Sequence, residues 1–180
     1  MFITGGARSG KSTYGEERAK AAGGKVTYIA TAVPFDDGMK DRIRRHQSQR
    51  PAEWATIEQY RNFESLGENP DFVAAEVILL DCLTVLITNN MMDFKVDYDE
   101  ISMETFAKIE AAIQAQVTEA LNQCAHKYTI VVANEVGLGL VPPYRMGNFF
   151  RDIAGRVNQM VAARADEVYF TVSGIPMQIK

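Results

Sequence analysis

The chain opens with Gly5-Gly6-Ala7-Arg8-Ser9-Gly10-Lys11-Ser12, which fits the spacing G-x-x-x-x-G-K-[ST]. A short apolar run precedes it, and a run of helix formers follows it and stops at Gly23-Gly24. In this pattern backbone N–H groups of a glycine-framed loop converge on phosphate oxygens, and the helix dipole favours the same anion. Lys11 can reach the β- and γ-phosphates and the Ser12 hydroxyl can ligate Mg²⁺. The stretch, hereafter the phosphate loop, therefore predicts a nucleoside triphosphate site rather than a Gly/Ser turn with an incidental lysine.

Apolar runs alternate with helical stretches along the rest of the chain. Three runs are too short for helices and predict strands buried on both faces, at residues 25–30, 77–81 and 129–133. Apolar side chains at three- and four-residue steps predict amphipathic helices over 106–124 and 147–163. Two further strands, 168–172 and 175–179, are separated by Ser173-Gly174, which suits a tight hairpin. The sequence thus predicts an α/β fold with a mostly parallel sheet and an antiparallel C-terminal hairpin.

Composition narrows the class of protein. A chain of 180 residues with 47% hydrophobic and 23% charged residues is typical of one globular domain, so we expect residues 1–180 to form a single domain. The net charge of −4 argues against nucleic acid as a partner. No apolar run has the length of a membrane span, and two cysteines in apolar surroundings favour core thiols over a disulfide framework. We expect a cytoplasmic protein without a membrane span.

Residues that follow the strands are candidates for the site, because ligands of such sheets bind at the carboxyl ends of strands. Segments 31–38, 82–90 and 134–143 should rim it, with Met91, Met92 and Phe94 in a loop after the third strand. Asp81 ends an apolar strand, as an aspartate on the Mg²⁺ side of a phosphate loop does, or it caps the next loop. Glu135 can orient an acceptor hydroxyl or a metal-bound water, or it is a structural glutamate.

The segment 40–51 carries a histidine among arginines. Neighbouring Arg42, Arg45 and Arg50 disfavour an imidazolium and keep His46 neutral, as a nucleophile requires, and they can neutralise a polyphosphate. The alternative is the solvated face of a helix that ends near Pro51. Spacing alone leaves both open.

Read together, these motifs resemble the bifunctional adenosylcobinamide kinase/adenosylcobinamide-phosphate guanylyltransferases of cobalamin biosynthesis. The matching pieces span essentially the whole chain and lie at residues 4–12, 28–31, 42–54, 134–142, 150–159, 165–168 and 173–176. The resemblance implies the RecA-like, three-layer fold of P-loop NTPases. It also implies that His46 is a catalytic residue that carries GMP covalently, beside Lys11 at the phosphates.

The resemblance further implies the nucleotide-binding residues of this chain: Gly5, Gly6, Ala7, Arg8, Ser9, Gly10, Lys11, Ser12, Ala30, Thr31, Ala32, Gln47, Ser48, Gln49, Arg50, Glu58 and Asp81. Mg²⁺ would lie on Ser12 and Asp81, with GTP and ATP as substrates, adenosylcobinamide as the corrinoid partner, and a homotrimer as the assembly. Two other readings remain: a P-loop kinase for a different hydroxylated metabolite, with a structural His46, and a regulatory nucleotide-binding module that assembles through the helix carrying Arg151 and Arg156.

Overall fold

The structure is a computed structural model that describes residues 1–33, 50–139 and 141–180. Its centre is a sheet in the order β3-β2-β4-β5-β1-β6-β7. All pairs are parallel except the hairpin β6–β7, which is antiparallel. The strands are β1 (Phe2–Gly5), β2 (Val26–Ala30), β3 (Ala55–Glu58), β4 (Val77–Asp81), β5 (Tyr128–Asn134), β6 (Val168–Val172) and β7 (Ile175–Gln178). The predicted α/β class, the mostly parallel sheet and the C-terminal hairpin are confirmed.

Five α-helices and one 3-10 helix connect the strands within the described residues. They are α1 (Lys11–Ala22), the 3-10 helix Phe63–Glu68, α2 (Pro70–Ala74), α3 (Leu83–Asp93), α4 (Met103–Gln123) and α5 (Arg145–Arg164). Local signals start two of them: the Ser102 hydroxyl accepts from the Thr105 N–H at α4, and the Asn69 amide oxygen caps α2. None of these helices combines the length and apolar character that crossing a membrane requires.

The sheet is covered on both faces, which gives three layers. Alternate residues of each strand point to opposite faces, so Leu79 and Leu80 belong to different apolar clusters. Helices α3, α4 and α5 pack on the face of Leu80, where Phe106 and Phe149 stack with centroids 4.1 Å apart. Helix α1 packs on the face of Leu79 and contacts β1, β4 and β5. This packing holds the strand ends that carry the candidate site.

Gly15 explains how closely α1 approaches the sheet. A Cβ at this position would meet side-chain carbons of Leu79 and Val132 at 3.3 Å each and of Ile3 at 3.7 Å. These distances are tight, so glycine lets the helix lie directly on three neighbouring strands. The start of α1, and with it the phosphate loop, is thereby fixed over the carboxyl edge of the sheet.

One sequence expectation about the segment after β4 is wrong. We expected Met91, Met92 and Phe94 in a loop, but α3 extends to Asp93, so Met91 and Met92 are helical, Met91 is completely buried, and only Phe94 follows the helix. The physical reason is helical spacing: Leu83, Leu86, Ile87 and Met91 recur at three- and four-residue steps and all face the core. Met92 and Phe94 are exposed at the far end of the helix. Strand β3 was not predicted at all.

Candidate nucleotide-binding site

The phosphate loop joins β1 to α1, as predicted. Gly10 adopts a left-handed conformation (φ 93°) at the N-cap of α1, which glycine adopts without steric cost. Arg8 is also left-handed, with φ 56°. The Lys11 ammonium donates to the carbonyl oxygen of Gly6 at 2.9 Å, so its side chain folds back over the loop. The loop therefore lies beside both the N-terminus of α1 and the Lys11 ammonium, an arrangement suited to binding phosphate.

The turn of the β6–β7 hairpin braces the phosphate loop. Ser173 and Gly174 have φ values of 51° and 82°, as a type I′ hairpin turn requires. The Gly174 N–H donates to the Ser9 carbonyl at 2.8 Å, and a Cβ on Gly10 would lie 3.0 Å from the Gly174 Cα. The two glycines thus allow backbone to approach backbone. The sequence indicated the hairpin and the loop separately, but it gave no sign that they touch.

Asp81 ends β4 at the same edge of the sheet. One strand, β5, lies between β4 and β1, so strand spacing places Asp81 roughly 10 Å from the strand that feeds the phosphate loop. The Tyr28 hydroxyl donates to Asp81 Oδ2 at 2.9 Å. Burial, and next the Asp81 charge, raise the pKa of Tyr28 far above its ordinary value, so the phenol remains a proton donor.

Arg50 lies over Tyr28 on the same face. Its guanidinium carbon is 3.3 Å from the centroid of the Tyr28 ring, a cation–π contact. Its Nε and Nη1 atoms are buried and have no hydrogen-bond partner among the described residues. Buried charged donors are costly unless an acceptor pairs with them, and phosphate is one of the two oxyanions, with carboxylate, that a guanidinium binds in bidentate fashion.

A buried carboxylate on α1 completes this cluster. Glu16 is 9% exposed, and burial raises its pKa, with a further contribution from the Asp81 charge. The Arg50 charge acts in the opposite direction and lowers that pKa. Arg50 and Asp81 therefore lie close enough to Glu16 for their charges to act on its carboxyl group. Sequence reasoning had assigned Glu16 only to a helix.

The three predicted nucleotide contacts at residues 30–32 differ in burial: Thr31 is buried, whereas Ala30 and Ala32 are half-buried. Thr31 is 1% exposed, and its hydroxyl donates to the Cys82 carbonyl at 2.8 Å and accepts from the Cys82 N–H at 3.0 Å. Its own carbonyl accepts from the Asn89 amide at 2.7 Å. Thr31 therefore ties the end of β2 to β4 and α3. The half-buried Ala30 and Ala32 on either side remain at the surface of the edge.

Glu58 lies on the edge strand β3, four strands away from β1 and the phosphate loop. It is exposed, ends β3 and pairs with Ala30. Four strand spacings separate β3 from β1, which is roughly 19 Å across the sheet. A ligand that touches both Glu58 and the loop must be extended along the strand ends, as a nucleotide with its base toward β3 would be.

Glu135 is held by its own loop. Its N–H donates to the Gly5 carbonyl at 2.9 Å, and its carboxylate Oε1 accepts from the Gly137 N–H at 2.6 Å. These contacts favour the structural alternative for Glu135, since they fix the loop after β5 against the phosphate loop. On α5, Arg156 pairs with Glu110 of α4, its Nη2 lying 3.0 Å from Oε2. That arginine thus ties two helices of one chain.

Four predicted site residues, His46, Gln47, Ser48 and Gln49, lie outside the described residues, as do Arg42 and Arg45.

The described residues fit Mg²⁺ in the manner expected for a phosphate-loop enzyme. Ser12 lies in the first turn of α1 and Asp81 ends β4, which supplies one hydroxyl and one carboxylate at the same edge. Within the described ranges there is no group of three or more His, Cys, Asp or Glu side chains that could hold a metal. Mg²⁺ is usually held by one or two carboxylates together with substrate phosphates and water, so a sparse ligand set suits it.

Comparison with known proteins gives a consistent family. Residues 1–179 match the family model described as cobinamide kinase / cobinamide phosphate guanyltransferase. The bifunctional adenosylcobalamin biosynthesis protein CobU of Escherichia coli is 41% identical over 182 residues, covering 100% of this chain and 99% of the relative. CobU of Salmonella typhimurium is 42% identical over 183 residues, with the same coverage. CobP of Pseudomonas aeruginosa is 35% identical over 179 residues, covering 99% of this chain and 96% of that protein.

Proposed function

Because this chain belongs to the cobinamide kinase / cobinamide phosphate guanyltransferase family, we propose that it phosphorylates adenosylcobinamide with ATP or GTP. It then transfers GMP from GTP, through a histidine–GMP intermediate, to give adenosylcobinamide-GDP. The observation that carries the proposal is the shared edge of the sheet, where the phosphate loop, Asp81 and the buried donors of Arg50 lie together. The phosphate loop and Arg50 supply hydrogen-bond donors for phosphate oxygens, and Asp81 supplies a carboxylate for Mg²⁺ at the same edge.

In the kinase reaction the aminopropanol hydroxyl oxygen of the corrinoid attacks the γ-phosphorus and its proton passes to water. The bond from the γ-phosphorus to the bridging oxygen breaks, and the nucleoside diphosphate leaves. The loop N–H groups and Lys11, whose ammonium lies over the loop backbone, would stabilise charge on the transferring group. Bound between Ser12 and Asp81, Mg²⁺ would supply further charge neutralisation at the β- and γ-phosphates. Glu135 would orient the acceptor hydroxyl only if its carboxylate could do so while it accepts from the Gly137 N–H.

In the guanylyl transfer, a neutral His46 nitrogen attacks the α-phosphorus of GTP. A nitrogen–phosphorus bond forms, the bond to the bridging oxygen breaks, and pyrophosphate leaves. A phosphate oxygen of the phosphorylated corrinoid then attacks the same phosphorus and releases the imidazole, which completes a two-step nucleophilic catalysis. The proposal of a neutral His46 rests on its sequence neighbours Arg42, Arg45 and Arg50, whose charges would disfavour an imidazolium.

The two reactions use different phosphorus atoms, so the nucleotide and His46 must take two relative positions. We therefore propose that the His46 segment moves between the two reactions, or that the nucleotide rebinds in another pose. The nucleotide contacts at Ala30, Ala32, Gln47, Ser48, Gln49 and Glu58 are proposed on the same basis.

The assembly and location expected from the sequence are likewise proposals. A homotrimer would have a mass of about 60 kDa, three times the 20.0 kDa of the chain, which light scattering measures directly. We propose one domain over residues 1–180 and a cytoplasmic location, where the nucleotide substrates are available.

The test of the histidine intermediate uses the two histidines of the chain as a matched pair. The protein is incubated with GTP labelled at the α-phosphate and separated by denaturing electrophoresis. His46→Ala should lose the acid-labile label and guanylyl transfer but keep most kinase activity, whereas His126→Ala should keep all three. A label that persists in His46→Ala, or that disappears in His126→Ala, would rule out His46 as the carrier.

The same assays separate the two competing functions. A kinase for another metabolite would form no protein–GMP adduct and would phosphorylate no cobinamide. A regulatory module would change its mass with nucleotide and transfer nothing to a corrinoid. The pairing of Arg156 with Glu110 inside one chain gives that second alternative less support.

A further inference from the structure

We propose that Tyr28 is a positioning residue that sets both Asp81 and Arg50 for the nucleotide. Its hydroxyl fixes the carboxylate on the metal side, and its ring carries the guanidinium that neutralises phosphate charge. This inference rests on the proposed function, because it gives Tyr28 a role in the same triphosphate site.

The hydroxyl contact restrains Asp81. A phenol has one proton, so Tyr28 donates to Oδ2 alone, at 2.9 Å, and the other carboxylate oxygen is not engaged by Tyr28. Tyr28 is 3% exposed and lies in β2 opposite Leu79 of β4, packed in the apolar cluster beneath α1. A rigidly packed ring therefore fixes the rotamer of a carboxylate at the end of the neighbouring strand. Partners of this kind orient metal ligands, and their loss typically costs roughly 10–100-fold in metal affinity or activity.

The ring contact restrains Arg50. At 3.3 Å from the centroid, the guanidinium lies directly over the ring, and its buried Nε and Nη1 find no partner among the described residues. Stacking occupies the face of a planar guanidinium and leaves its in-plane donors for an oxyanion. One side chain thus positions a cation for phosphate and a carboxylate for the metal. Phenylalanine could perform only the first task, and leucine neither.

The experiment compares Tyr28→Phe, Tyr28→Leu and the control Tyr98→Phe. Tyr98 is a matched control because it is 6% exposed and donates its hydroxyl to the Met91 carbonyl, away from the loop. GTP binding is measured by calorimetry with Mg²⁺ and again with a chelator, so the readout does not depend on turnover. Thermal unfolding of each variant confirms that it is folded.

For Tyr28→Phe we expect the Mg²⁺-dependent gain in GTP affinity to fall by about 10-fold, with metal-free binding unchanged. Tyr28→Leu should lose the same gain and also weaken metal-free binding, because Arg50 loses its support. Tyr98→Phe should alter neither quantity. If Tyr28→Phe retained the full Mg²⁺-dependent gain, the proposal that Tyr28 positions Asp81 would be overturned. Equal metal-free GTP binding in Tyr28→Phe and Tyr28→Leu would overturn the proposal that the Tyr28 ring positions Arg50.

Asp81→Asn separates a failure of this inference from a failure of the proposed function. We expect it to remove the Mg²⁺-dependent gain, and adding Tyr28→Phe should then cost nothing more, since residues that act through one another are not additive. If Asp81→Asn loses the gain and Tyr28→Phe keeps it, only the role of Tyr28 is wrong. If Asp81→Asn keeps the Mg²⁺-dependent gain in GTP affinity, then Asp81 is not a metal ligand, and Tyr28 cannot act by positioning it.

Discussion

Replacing Gly5 by alanine tests how tightly the phosphate loop is held between its neighbours. A Cβ on Gly5 would lie 2.4 Å from the carbonyl oxygen of Thr171 and 2.7 Å from the Ser9 hydroxyl oxygen. Ordinary carbon–oxygen contacts are about 3.4 Å, so backbone must move by roughly 1 Å. Gly5 is the last residue of β1 and pairs with β5 on one side and β6 on the other, which leaves the loop as the part that yields.

The expected cost follows from this overlap. Overpacking of a tight site costs about 1–3 kcal/mol, and each kcal/mol lowers the Tm of a chain of this size by about 2–4 °C. We therefore expect Gly5→Ala to lower the Tm by roughly 2–12 °C. A loop displaced by roughly 1 Å should also lower the kinase rate by on the order of 100-fold. Thermal unfolding without nucleotide and initial-rate kinetics with cobinamide measure the two effects.

Gly6→Ala is the matched control, because an added Cβ there has no heavy atom within 4 Å. Its Tm should change by no more than about 2 °C, as expected for a site without packing conflict. Equal unfolding temperatures for Gly5→Ala and the unmodified protein would refute the reasoning, and so would a Gly6→Ala variant as unstable as Gly5→Ala.

Three further predictions concern single side chains. Lys11→Ala should slow phosphoryl transfer and guanylyl transfer by on the order of 100-fold each, since both reactions bind the nucleotide phosphates at the same loop. If the initial rate fell in only one reaction, the two reactions would not share the phosphate loop. Glu16→Gln should stabilise the protein above pH 4.5 and lose that advantage below it. Burial raises the pKa of the Glu16 carboxyl, so the unmodified protein loses stability as pH rises through the shifted pKa. Urea unfolding at several pH values measures the free-energy difference between the two proteins, and a difference that does not change with pH would contradict the prediction. Burial raises the thiol pKa to about 11 for Cys82 and about 12 for Cys124, so a thiol-reactive disulfide should label neither in the native protein and both after unfolding; rapid native labelling would contradict the burial.

Local patterns were sufficient to predict the phosphate loop, the C-terminal hairpin and the buried parallel strands. Each rests on residues adjacent in sequence: the loop on its glycines and Lys11, the hairpin on Ser173-Gly174. Strand β3 was missed because Ala55–Glu58 is four residues long and carries one buried apolar side chain, Ile57. Its pairing partner β2 stabilises it, and pairing is not encoded in a short run.

The connections within the site were the least predictable part. Tyr28 and Asp81 are 53 residues apart, and the Gly174–Ser9 contact joins the two ends of the chain. One signal was available: a phenol inside an apolar strand needs a hydrogen-bond partner when buried. Identifying Asp81 as that partner required knowing that β2 and β4 are neighbours, which only the fold establishes.

The proposed function requires that a histidine beside the phosphate site carries GMP covalently and transfers it to the corrinoid. The most direct measurement isolates the protein labelled from α-labelled GTP, removes free nucleotide, and adds phosphorylated cobinamide. We expect the label to leave the protein and appear on the corrinoid as the GDP derivative, at least as fast as steady-state turnover. Label that stays on the protein while fresh GTP supports turnover would exclude the histidine–GMP species as an intermediate.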